Sequence, residues 1–283
     1  MPYRKCIIIV NTYKEDSKQL GEVVKEYLVS IGIQTDIFMF GGFSLQYPFP
    51  GYDFVITMGG DGTVLFAARG CVSLGIPIFP INFGSFGFIA SVQRDEWRKE
   101  LDNFLAGKSM INQRSMLQAD LICDGVHKFD SIGLNDIVVS ASSATHTISF
   151  TVSYGDVSLG EFKADGIIIS TATGSTAYSA SAGGPIIDPG LDAMVLTLIN
   201  AFSLSSRPIV LSPDSEIEIE ILPSRFSSVI VSVDGQPPSE LCAGDKVRIC
   251  QLKDKVKLIG CTKEKFYNAL RSKLNWSGGP KHA

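Results

Sequence analysis

Long apolar runs are absent: no stretch reaches 18 consecutive apolar residues, so no membrane-spanning helix is expected. The opening "MPYRKCIIIV" is too short for a signal-peptide core, and no small-residue cleavage site follows it. The expectation is a cytoplasmic protein with no membrane partner. A basic excess is missing too. Lys and Arg number 25 against 29 Asp and Glu, a net charge of -4, which argues against a general nucleic-acid binder. No two of the six cysteines are spaced as CxxC and no histidine stands near them at ligand spacing, so neither a zinc site nor a disulfide framework is expected. Most lie in apolar runs such as "KCIIIV" and "KVRIC", the setting of buried free thiols. There is also no GxxxxGK[ST] and no GxGxxG, so neither a P-loop NTPase nor an ordinary Rossmann dehydrogenase is supported.

What is present is a globular composition, 45% apolar and 19% charged, over 283 residues, enough for one or two domains. The first hundred residues alternate strand and helix. "CIIIV" (6–10) is a continuous apolar run, as in a strand buried on both faces. Residues 17–32 carry Leu20, Val23, Val24, Tyr27 and Leu28 as a helical stripe, with Gly32 suited to the C-cap. Strands are expected at 35–40, 53–58 and 76–82, and helices at 62–75 and 94–107. This grammar implies an α/β domain over 1–108, a Rossmann-like parallel sheet with helices. After residue 108 short strands dominate. "EIEIEIL" (216–222) alternates strictly, and 229–235, 245–252 and 255–261 continue the pattern. A β-rich, sandwich-like domain over 109–262 is expected. A final helix over 263–274 returns to the first domain, and the tail 275–283 is outside the fold.

Two stretches carry the chemistry. "VITMGGDGTVLFAAR" ends an apolar strand on Gly59 and Gly60, then sets Asp61, Gly62 and Thr63 at the start of a helix. Ligands of open α/β sheets bind at that edge. Glycines let backbone N–H groups reach phosphate, and a helix start favours anions. Asp61 repels phosphate, so it is read either as a base facing an attacking hydroxyl or as a helix N-cap. The second stretch, "ADGIIISTATGSTAYSASAGGP" (164–185), is rich in Ser, Thr, Ala and Gly. Such residues build little core but let backbone and hydroxyls approach a ligand.

"GGDGT" is the signature of a superfamily of kinases for NAD and for lipids, with phosphofructokinases more distant. Together with "IPIFPINFGSFGFIA", "LNDIVV", "KADGIIISTATGSTAYSASAGGPI", "SLSSRPIVL" and "VDGQ", in this order, the chain resembles the NAD kinase family over most of its length. Lipid kinases carry a "GTGND"-like segment where this chain has "INFGSFGF".

The resemblance implies transfer of the terminal phosphoryl of ATP to the 2′-hydroxyl of the adenosine ribose of NAD, giving NADP. It implies Asp61 as proton acceptor, with Gly62 beside it and Phe66 lining the nucleotide site. Asn135 and Asp136 would hold ribose and adenine. Lys163 and Asp165 would serve pyrophosphate and a nearby amide or hydroxyl. Thr173, Thr176, Ala177, Tyr178, Ser179, Ala180 and Ser181 match the nucleotide-contacting run. His146 falls where a basic residue lies near the 2′ position. Asn200 and Gln236 fall where relatives contact the nicotinamide half or a neighbouring subunit's nucleotide. A divalent cation, magnesium, is expected with ATP, and a homodimer or homotetramer is expected because the family's sites are completed by a neighbour. The dinucleotide site is expected in the cleft between the domains. Two features depart from the family: Ala172 replaces a proline in "STATGST", and Asn200-Ala201-Phe202 stands where a Pro-His pair is usual. A lipid kinase and a non-catalytic NADP sensor are the other readings; "INFGSFGF" opposes the first and the intact Asp61 the second.

Overall fold

The computed structural model describes residues 3–84, 87–143, 146–224 and 228–274. The tail 275–283 lies outside the described residues. In chain order the elements begin with β1 (Lys5–Asn11), α1 (Glu15–Ser30), β2 (Gln34–Phe40), β3 (Phe54–Gly59), α2 (Asp61–Cys71), β4 (Ile78–Asn82), α3 (Trp97–Leu105) and β5 (Ile111–Arg114). Next come β6 (Leu117–Cys123), β7 (Val126–Gly133), β8 (Asp136–Ala141), β9 (Ile148–Tyr154), β10 (Val157–Ala164) and β11 (Gly166–Thr171). After a 3-10 turn at Gly174–Thr176 follow α4 (Tyr178–Ser181), β12 (Met194–Ile199), β13 (Ile209–Leu211), β14 (Ile217–Ile221), β15 (Val229–Val233), β16 (Ser239–Leu241) and β17 (Lys246–Gln251). The chain closes on β18 (Val256–Ile259) and α5 (Lys263–Leu274).

Two compact units result: 1–113 with 255–283, and 114–254. The first holds a six-stranded sheet in the order β2-β1-β3-β4-β18-β5. Pairing is parallel from β2 through β18. The apolar runs of β1 and β3 are buried along their length, as expected of strands covered on both faces. In α1, Val24 and Leu28 are buried, whereas Val23 is exposed and lies outside the core stripe. Gly32 takes φ 87°, the left-handed turn that ends this helix.

One expected placement is corrected. The strand at 255–261 was assigned to the β-rich half, but β18 joins the first sheet, Leu258 pairing in parallel with Ile78. Its apolar residues Val256, Leu258 and Ile259 are buried there. Helix α5 belongs to the same unit, where Phe266 packs against Phe88 with ring centroids 5.9 Å apart.

The second unit contains two six-stranded sheets, β10-β9-β14-β17-β6-β7 and β13-β12-β11-β8-β15-β16. All of their recorded pairings are antiparallel. A single apolar cluster draws on both, with Ile217, Ile219 and Ile221 of β14 and Ile137, Ile167 and Ile169 of β8 and β11 among its members. Period-two alternation in β14 leaves its glutamates on the other face, where Glu218 meets Lys246 at 2.7 Å and Arg248 at 2.8 Å.

Candidate functional site

The first unit positions Asp61 at a topological switch point. From β1 the chain crosses to β2 on one side, and from β3 to β4 on the other, so β1 and β3 are neighbours whose outgoing connections diverge. That divergence opens a crevice in α/β sheets. Asn11 and Gly59 end these two strands. The Asn11 Nδ2 donates to the buried Thr63 Oγ1 at 3.2 Å, and a methyl on Gly59 would overlap Thr63. Gly60 and Gly62 have open space where a side chain would stand.

Asp61 does not cap its helix. The cap position is Gly60, no side chain bonds there, and Asp61 is the first helical residue. Its carboxylate instead accepts three backbone N–H groups from the segment after β4. Ile89 and Ala90 donate to Oδ1 at 3.3 and 2.9 Å, and Phe88 donates to Oδ2 at 3.2 Å. A carboxylate has about four acceptor sites. Among the described residues three are taken, and the one left is on Oδ2.

Phe66 lies in the aromatic core of the first unit. It is fully buried, with its ring 4.4 Å from Phe40 and 5.4 Å from Tyr47 between centroids. One turn into α2 points this side chain into the aromatic core rather than to the sheet edge.

In the second unit the expected residues form two groups. Asn135 and Asp136 open β8 beside the start of the Ser/Thr run. Their backbone is fixed by Asp234, whose carboxylate accepts the N–H groups of Leu134, Asn135 and Asp136 at 2.9, 2.8 and 3.2 Å. Asp234 sits at φ 49°, a left-handed position that Asp tolerates. Thr171 ties the run to the same loop. Its N–H donates to the Asn135 carbonyl at 2.9 Å, its Oγ1 donates to the Leu134 carbonyl at 2.6 Å, and Gly174 N–H donates to that Oγ1 at 2.9 Å. A methyl on Gly174 would overlap the Asn135 backbone.

Asp136 is buried, and its carboxyl is pushed up to about 7, first by desolvation and then by Asp234, against a lowering hydrogen bond from the Tyr178 backbone. The Asn135 Oδ1 and the Gln236 Nε2 are buried and have no partner. Along 173–181, Tyr178 and Ser181 are exposed, Thr176, Ala177 and Ala180 are half-buried, and Thr173 and Ser179 are buried. Thr176 Oγ1 donates to the Thr173 carbonyl at 3.1 Å. The Ser179 Oγ lies 3.0 Å from Thr197 Oγ1 inside the unit.

The second group lies at the other end of the β8–β11 ladder. Ser170 pairs with Asp136, but Gly166 pairs with Ser140, four residues along, a displacement of about 14 Å. Here Asn200, at φ 45°, donates from Nδ2 to Asp165 Oδ2 at 2.9 Å. Lys163 Nζ stands 5.5 Å from the centroid of the exposed Phe202 ring. His146 is exposed, its N–H bonded to the Ser143 carbonyl at 3.3 Å.

Several residues escaped the sequence reading. The Phe88, Ile89 and Ala90 amides carry no side-chain letter. Asn11 had only its place at a strand end as a signal. Asp234 could have been found as an Asp-Gly pair closing a strand, though "VDGQ" also reads as an ordinary turn.

Residues 49–109 match the ATP-NAD kinase N-terminal domain and residues 134–261 the ATP-NAD kinase C-terminal domain. An NAD kinase of Treponema denticola is 43% identical over 276 residues, 97% of each chain. One from Treponema pallidum is 39% identical over 275 residues, covering 97% of this chain and 90% of that one. Among solved structures, yeast NADH kinase complexed with NADH has a TM-score of 0.86 at 20% identity, covering 100% of this chain and 91% of that one. An Archaeoglobus fulgidus NAD kinase in complex with ATP has a TM-score of 0.75 at 24% identity, covering 97% and 100%. At these identities the two structures speak to the fold alone. The matched domains and the identity sustained along the chain establish that this protein belongs to the ATP-NAD kinase family.

Proposed function

We propose that this chain phosphorylates NAD to NADP with ATP, at the 2′-hydroxyl of the adenosine ribose, and that Asp61 receives the hydroxyl proton. The observation that carries the role of Asp61 is its setting. It lies at the switch point of the sheet, it is not the helix cap, and it keeps an open acceptor position on Oδ2. Oriented this way, a carboxylate can align a hydroxyl and take its proton as the phosphoryl group arrives. Gly59, Gly60, Gly62 and Thr63 supply the backbone of the phosphate loop.

Asn135 and Asp136 hold the ribose and adenine, with Thr176–Ser181 and Gln236 around them. The partnerless Asn135 Oδ1 and Gln236 Nε2 support this reading, because a buried polar atom without a partner is costly unless a ligand pairs it. His146, Lys163, Asp165 and Asn200 serve the dinucleotide of a neighbouring copy, and the protein acts as a homodimer or homotetramer. Their separation from Asn135 along the ladder supports that assignment. Magnesium enters with ATP. Among the described residues no group of three His, Cys, Asp or Glu side chains could hold a metal ion. The ATP phosphates supply oxygen ligands to the cation.

Among the described residues no helix is long and apolar enough to cross a membrane. The test is direct. Purified protein is supplied with NAD, ATP and magnesium, and NADP is read by a coupled NADP-specific dehydrogenase. NADP formation that needs ATP supports the reading; no NADP overturns it.

A further inference from the structure

The segment "INFGSFGFIA" distinguishes this chain from lipid kinases, and its Phe88, Ile89 and Ala90 amides meet Asp61. We infer that its residues 87–91 are a clamp that positions Asp61, with Gly87 as a positioning residue and Cys261 as the strut behind it. The inference rests on Asp61 being the base.

Three observations carry it. The three N–H donors on the Asp61 carboxylate are consecutive, Phe88, Ile89 and Ala90, so one short backbone segment fixes both oxygens. Two donors converge on Oδ1 and one on Oδ2, so among the described residues the clamp leaves Oδ2 with an acceptor position for a substrate hydroxyl.

Second, Gly87 leaves the space that this geometry needs. A methyl built on it would overlap Asp61 Oδ1 and stand 3.2 Å from Asp61 Cγ and 3.1 Å from the Ala90 carbonyl oxygen. The atoms most crowded belong to the movable carboxylate, so substitution displaces Asp61 before it displaces the chain. Its lack of a side chain serves this contact.

Third, the clamp is braced from the far end of the sequence. The buried Cys261, just after β18, has its Sγ 3.2 Å from the Ile89 carbonyl oxygen. Ser91 Oγ donates to the Gly260 carbonyl at 3.0 Å and lies 3.2 Å from Cys261 Sγ. Val92 continues the anchoring by exchanging backbone bonds with β4, its N–H to Pro80 and its carbonyl to Asn82. The peptide that donates to Asp61 is thus fastened at the Ile89 carbonyl and again at Ser91 and Val92.

Misplacing a reacting group by about 1 Å can cost about 10²-fold in rate. The test is a double-mutant cycle on Gly87→Ala and Asp61→Asn, with kcat and both KM values measured for each protein. Gly87→Ala alone is expected to lower kcat about 10²-fold and leave KM for NAD and ATP within about threefold. In the Asp61→Asn background the same change is expected to alter kcat less than about threefold, because the group it displaces is already lost. Full kcat in Gly87→Ala, or the same fall in both backgrounds, overturns the clamp. Asp61→Asn at wild-type turnover overturns the base assignment itself, and the clamp with it. Should Gly87→Ala fail to fold, Cys261 decides: Cys261→Ser keeps a donor toward Ile89 and is expected to hold kcat within about threefold, while Cys261→Ala lowers it by about tenfold or more at unchanged KM. Equal turnover in those two variants overturns the strut.

Discussion

Asp136 and Asp234 hold each other's backbone: the Asp136 carbonyl accepts the Asp234 N–H at 2.9 Å, and Asp234 Oδ1 accepts the Asp136 N–H at 3.2 Å. Two carboxyl groups are thereby kept at the mouth of adjacent strands, one spent on backbone amides and the other buried.

The buried member gives a pH dependence. The Asp136 carboxyl is raised from 3.8 to about 7 on folding. The folded chain therefore binds this proton more tightly than the unfolded one. Between about pH 4 and pH 7 stability falls as pH rises, and the effect levels off above that window, with an upper bound of about 4 kcal/mol. Asp136→Asn removes the proton equilibrium. Thermal melts of both proteins from pH 4 to 8 should show the variant gaining on wild type as pH rises; parallel profiles would remove Asp136 from this role.

Asp61→Asn should lower turnover by roughly 10²–10⁴, the usual worth of a positioned general base. It should also cost about 1–2 kcal/mol of stability, since one amide oxygen cannot serve N–H donors arriving at both carboxylate oxygens. Single-turnover rates on saturated enzyme, beside a denaturant titration, check both. A variant within tenfold of wild-type rate would deny Asp61 the proton.

Asn135→Ala should weaken NAD binding by about 1–3 kcal/mol and change stability little, because the lost Oδ1 has no partner within the fold. Calorimetric titration with NAD decides. Unchanged affinity would take Asn135 out of the site.

Assembly has its own test. Asn135→Ala and Asp165→Ala fall in the two groups at opposite ends of the β8–β11 ladder. If each site draws on two copies, mixing the two impaired variants should restore a fraction of activity, through pairs that carry one intact site. Mixtures no more active than the average of their components would assign both groups to one subunit's site.

The legible parts were those fixed by local pattern. The run "CIIIV" became a fully covered strand because nothing but burial on both faces suits it, and "EIEIEI" placed its isoleucines inside by period alone. α5 spans the expected residues because its stripe and polar flanks are local too. β18 was legible as a strand but not as a member of the first sheet, since four residues carry no record of which edge they will meet. The site divides the same way. Asp61, Asn135 and Asp136 stand in motifs, whereas the amides that hold Asp61 belong to any sequence. Phe66 was ambiguous, because a core ring and a ligand-facing ring have the same letter and spacing.

The late return of β18 has a consequence for how the chain is made. On a ribosome adding about 5–20 residues per second, β4 is synthesised on the order of ten seconds before the strand that pairs with its outer edge. Through that interval the Ile78 end of this strand is an apolar edge within reach of another nascent chain, while its Pro80–Asn82 end already bonds Val92. Pro77 turns its carbonyl to Val55 of β3, whereas Pro80 turns its carbonyl to the outer edge and has no N–H to offer there. Pro80 denies an incoming strand part of its ladder, so the edge is held for the chain's own end.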